Sequence, residues 1–80
     1  MLFDYSKLKG KIKEIFDDQY LFANALGISE QSVIKKLNNT VPFKQKEMYK
    51  IIQLFDITEE EIPKYIVEYF FTVKVEKVQQ

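Results

Sequence analysis

The chain contains no cysteine, no histidine and no arginine. Without cysteine there is no disulfide framework and no thiolate metal site. Without histidine the commonest general base and the commonest zinc ligand are both missing. There is also no phosphate-cradling glycine loop and no pairing of carboxylates suited to a cleft. These absences predict a protein that is not an enzyme and uses no cofactor, metal or small-molecule substrate. No apolar run approaches the roughly 20 residues that span a bilayer. The start, Met1-Leu2-Phe3-Asp4-Tyr5, has no basic segment followed by an apolar one. The expectation is a cytoplasmic location with no membrane partner.

What is present suits a small packed domain. Of 80 residues 46% are hydrophobic, including seven phenylalanines and five tyrosines, enough for a core and too many for a disordered chain. Net charge is zero, which by itself speaks against nucleic acid, because phosphate neutralisation dominates that affinity. The charge is unevenly spread. Residues 1–50 hold nine lysines against six acids, and residues 51–80 hold three lysines against six acids. The excess positive charge therefore falls in the first half, as expected for a binding face opposed to an acidic remainder, although an imbalance of this size also arises by chance.

The stretch Gln19–Asn38 reads as two short helices hinged at a glycine. Leu21, Phe22, Ala25 and Leu26 give the first an apolar side at helical spacing. Gly27 stands where a left-handed residue ends a helix. Ser29 can cap the next, and Ile28 and Val33 occupy the positions of a hydrophobic staple. Such a tight turn between short helices builds a helix-turn-helix.

Elsewhere the pattern is also helical. Asp4 is placed as an N-cap, with Phe3 and Leu8 as a staple, and Leu8, Ile12, Ile15 and Phe16 form an apolar stripe. Gly10 weakens this first helix and is a candidate for a close helix contact. Asp17-Asp18 separate it from a second helix over Gln19–Leu26, with a third over Glu30–Asn38. A fourth is predicted over Gln45–Phe55. Thr58 with Glu61 forms a capping box for a fifth, so Glu59-Glu60-Glu61 reads as a helix start and not as a metal site, since neighbours on a helix cannot converge. Pro63, past the first turn, is expected to bend or end that helix. From Phe71 to Val78 the pattern changes to period two, the signature of a half-buried strand. A lone strand must pair, either with the same strand of a second copy or with Leu2-Phe3.

Gln19-x-x-x-Ala23-x-x-x-Gly27-Ile28-Ser29-x-x-x-Val33 resembles the Cro/CI-type (XRE-like) helix-turn-helix of phage repressors. The likeness covers about residues 5–62 and is nearest to small Cro-like phage proteins. It implies a mainly α fold with a five-short-helix DNA-binding domain over 1–64; the aromatic and strand segment over 65–80, read from its own pattern, is the expected C-terminal β-strand arm for dimerisation. It also implies a sequence-specific repressor that binds double-stranded operator DNA as a homodimer, with helix 3 in the major groove. The resemblance places base-reading side chains at Glu30, Gln31 and Lys35. Gln31 suits adenine and Lys35 suits guanine. Gln19, Asn38, Asn39 and Lys44 are the expected phosphate contacts, Lys36 adds charge, and Ser29 and Ser32 complete the DNA-binding set. Two departures stand out: Lys44 replaces the family's usual Ser/Thr cap of helix 4, and arginine, the commonest reader of guanine, is absent. Dimerisation is expected through Tyr69, Phe70, Phe71, Val73 and Val75, although these aromatics could instead close the monomer core. The alternative function is a helix-turn-helix used for protein contact, such as an antirepressor or partner-binding module, which the neutral charge and missing arginines favour.

Overall fold

In the computed structural model, which describes residues 2–75, five helices follow one another with short connections. They are α1 (Ser6–Phe16), α2 (Gln19–Leu26), α3 (Glu30–Leu37), α4 (Gln45–Leu54) and α5 (Ile62–Phe70), the last preceded by a 3-10 turn at Glu59–Glu61. The sequence explains where each begins and ends. The Asp4 carboxylate accepts from the Ser6 backbone N–H at 2.8 Å and from the Ser6 hydroxyl, so it satisfies a free donor at the start of α1. Asp17 ends α1 in a left-handed conformation (φ 64°), its N–H donating to Lys13 O at 2.9 Å. Asp18 then caps α2, accepting from Tyr20 N–H at 2.7 Å.

The hydrophobic stripes converge on one core. Leu8 of α1, Phe22 of α2, Val33 of α3, Ile51 and Ile52 of α4 and Phe70 of α5 are all fully buried. Two aromatic runs tie the helices together. Phe22 lies between Phe16 (5.4 Å between centroids) and Phe55 (6.4 Å), and Phe55 meets Tyr69 edge-on at 5.6 Å. Phe43, in the α3–α4 loop, lies between Tyr5 and Phe70, each at 5.3 Å. Edge-to-face pairs of this kind add about 0.5–1.5 kcal/mol each beyond the area they bury.

Several expectations change at this level. Tyr69 and Phe70 are 6% and 1% exposed, so they belong to the monomer core and are not available to a second copy. No strand forms among the described residues. A single antiparallel bridge joins Phe3 to Val73, with Asp4 N–H donating to Thr72 O at 2.6 Å and Lys74 N–H to Leu2 O at 3.0 Å. The C-terminal segment thus meets Leu2-Phe3 of its own chain, and Phe3 stacks edge-on against Phe71 at 5.7 Å. Phe71, Val73 and Val75 remain exposed, and the rest of the expected strand, residues 76–78, lies outside the described residues. Pro63 falls within the first turn of α5, where a missing N–H leaves nothing unpaired, so it starts the helix, which runs on to Phe70. Gly10 has open space around it and makes no close contact. Leu21 and Ile15 sit off the buried stripes, at 50% and 42% exposure.

Candidate recognition face

The turn between α2 and α3 sets the geometry of the face. Gly27 has φ 85° and donates to Ala23 O at 2.8 Å, ending α2 in the left-handed conformation that glycine adopts without penalty. Ile28 tucks partly against the core. Ser29 then turns extended, and its hydroxyl oxygen accepts from Ser32 N–H at 3.1 Å. That cap satisfies one orphan donor of α3 and fixes the first turn of the helix.

With Val33 and Leu37 held in the core, the opposite side of α3 faces outward. Gln31, Ile34, Lys35 and Asn38 share one stripe at i, i+3, i+4 and i+7, and all are exposed, with Glu30 beside them. Gln19 is half-buried at the start of α2, followed by exposed Tyr20 (60%) and Leu21 (50%). Ser32 is half-buried and its hydroxyl accepts from that of Ser29 at 3.0 Å, so both serines serve the turn itself. Lys44 is exposed ahead of α4.

Two residues expected on the outer surface are not there. Lys36 is 5% exposed, and its ammonium donates to Glu47 Oε1 at 3.1 Å and to Pro42 O at 3.2 Å. The same Glu47 oxygen accepts from Lys44 N–H at 2.8 Å. This explains how α4 starts without a Ser/Thr cap: Glu47 closes half of a capping box, and Lys36 neutralises it. The positive charge of Lys36 is therefore used internally. Asn39, half-buried with φ 64°, clasps the N-terminal segment, its Oδ1 accepting from Phe3 N–H (2.9 Å) and its Nδ2 donating to Phe3 O (3.0 Å). Both its polar atoms are engaged, so it holds the loop to the terminus instead of facing a ligand.

The residue that sequence reasoning passed over is Ile34, apolar and 42% exposed in the middle of the α3 stripe. Its signal was present, since it falls three residues from Gln31 and off the Val33/Leu37 side. Val41 (38%) is a further exposed apolar residue in the loop that follows. Among the described residues no cluster of acids is arranged to hold a metal, and no helix is long and apolar enough to cross a membrane.

No curated protein matches the chain. Among solved structures it is similar to the modulator of repression (MOR) of the temperate bacteriophage TP901-1 from Lactococcus lactis. The two share 43% sequence identity over 95% of this chain and 97% of that one, with a TM-score of 0.68. A family model described as "Protein of unknown function (DUF739)" matches residues 1–72, and the chain belongs to that family.

Proposed function

We propose that this chain is a phage regulatory protein that modulates repression by contacting a protein partner, with the outer face of α3 as the contact surface. The observation that carries the reading is Ile34, an apolar side chain exposed at the centre of a helix face ringed by Gln31, Lys35 and Asn38. An apolar centre with a polar rim is the anatomy of a protein interface. Tyr20 and Leu21 are further exposed apolar side chains, on α2 of the same two-helix unit. The charge supports the same reading. With Lys36 buried against Glu47, Lys35 is the one exposed cation of α3, and a helix with so little charge gains little from counterion release. The likeness to a modulator of repression suggests a phage repressor as the class of partner.

A second reading, a Cro/CI-type repressor that binds operator DNA as a dimer, has its own support. The capped α3 presents Gln31 and Lys35, side chains that match adenine and guanine in the major groove, and Phe71, Val73 and Val75 stay exposed for a second copy. One pair of variants separates the readings. Ile34→Asp places a charge at the centre of an apolar contact and should abolish binding to a protein partner. Lys35→Ala should relax base preference if duplex DNA is the target. A duplex library titrated at several salt concentrations, beside the phage repressor titrated by the same method, reads both. Sequence-specific duplex binding by the wild-type chain alone, lost in Lys35→Ala, would refute the protein-partner reading.

A further inference from the structure

Beside the α2–α3 turn lies an open hollow of about 520 Å³, lined by Leu26, Gly27 and Ile28 from the turn and by Lys44, Lys46, Glu47 and Lys50 from the start of α4. Its floor is apolar: Leu26 is 5% exposed and Ile28 packs partly on the core. Its rim is basic. Lys46 and Lys50, one helical turn apart, are exposed, as is Lys44 just ahead of them, and among the described residues none of the three is in an ion pair. The one carboxylate in the hollow, Glu47, is already engaged by Lys36 and by the Lys44 N–H, so it does not offset them. Gly27 leaves room at the rim, where a Cβ would meet only Lys50 Nζ, at 3.8 Å.

We infer that this hollow docks an acidic segment of a partner protein, one that carries an apolar side chain between carboxylates. The apolar side chain packs on half-buried Ile28, with Leu26 beneath it already in the core, and the carboxylates pair with Lys44, Lys46 and Lys50. A phosphate backbone would satisfy the lysines and leave the apolar floor facing charge, which is why a peptide fits better than nucleic acid. The hollow is separate from the outer face of α3, and the inference does not rest on what that face binds.

The test is an NMR titration of the ¹⁵N-labelled chain with a short blocked peptide in which a leucine stands between aspartates. Controls are the same peptide with asparagines for the aspartates, the same peptide with serine for the leucine, and a short random-sequence DNA duplex. The acidic peptide should move the amide resonances of Gly27, Ile28, Lys46 and Lys50, and bind more weakly as salt rises. Both control peptides should bind several-fold more weakly, and Lys46→Glu with Lys50→Glu should weaken the acidic peptide about tenfold or more, since two attractions become repulsions. Because both lysines are exposed, the variant keeps a folded spectrum, and Ile34→Asp leaves the peptide titration unchanged, so failure at either surface reads separately. Three results would overturn the inference. They are no shift at these amides, equal binding of a control peptide, or a duplex that binds here more tightly than the acidic peptide and is lost in the charge-reversed variant. Self-association of the chain that the same variant abolishes would assign the hollow to a second copy's Glu59–Glu61 and overturn it as well.

Discussion

Removing the Lys36 ammonium should destabilise the domain more than a change at any exposed lysine. Lys36 is 5% and Glu47 9% exposed, with 3.1 Å between their charged atoms. Breaking a buried ion pair by deleting one partner leaves an uncompensated charge and costs about 3–5 kcal/mol. A chain of this length has about 4–12 kcal/mol of total stability at the usual per-residue value, so the loss is about a quarter of it or more. Lys36→Met is the sharper variant, because it keeps the packed stem and removes only the charge and its two hydrogen bonds. Glu47→Gln tests the other side and also weakens the link to Lys44 N–H at the start of α4. In the double variant no charge is left unpaired, so the combined loss should fall short of the sum by about 2 kcal/mol or more. Urea denaturation followed by far-ultraviolet circular dichroism measures all four proteins. Single losses under about 1 kcal/mol that simply add would place the pair in solvent and refute the reasoning.

The two glycines should respond in opposite directions to alanine. Gly27→Ala forces a left-handed alanine at φ 85° and should cost about 1–2 kcal/mol, whereas Gly10→Ala, in open space within α1, should gain about 1 kcal/mol; the same denaturation experiment reads both. Asn39→Ala removes two hydrogen bonds to Phe3 and leaves alanine at positive φ, for a loss of about 2–3 kcal/mol, with faster amide exchange at Phe3 as the local signature. Burial pushes the Tyr5 and Tyr69 phenols above their ordinary range, so they favour the fold while protonated. That stability is present below the free-tyrosine pKa of about 10 and is lost as pH rises through the higher folded values, which thermal melts across alkaline pH should show. Asp4 behaves in the opposite sense. The Ser6 hydroxyl, then the Ser6 N–H, hold its carboxyl below the ordinary range, so its contribution is present at neutral pH and fades as acid protonates it.

The helices were legible because their signals are local. Asp18, Gly27 and Ser29 punctuate the chain by their own backbone and side-chain chemistry, and Val33 and Leu37 orient α3 by periodicity alone. What the sequence concealed depends on neighbours far along the chain. Lys36 looks like any surface lysine until Glu47, from the next helix, is found beside it. Asn39 looks like a loop residue open to a ligand until Phe3, 36 positions away, takes both ends of its amide. Tyr69 and Phe70 sit next to a period-two pattern that drew them toward an interface, yet Phe43 and Phe55 enclose them in the core. The alternation after Phe71 does not produce a strand among the described residues; Leu2-Phe3 meets it in a single bridge, Phe3 to Val73. Ile34 lies beside Val33 in sequence, and the helical turn puts it on the exposed side of α3.

Analytical size-exclusion of the chain mixed with a phage repressor, the proposed class of partner, tests the partner reading most directly. Wild-type protein and Lys35→Ala should co-elute with the repressor, Ile34→Asp should elute alone, and the wild-type chain by itself should show no preference among DNA duplexes. Separate elution of the wild-type chain and repressor, with sequence-specific duplex binding by the chain alone, would contradict it.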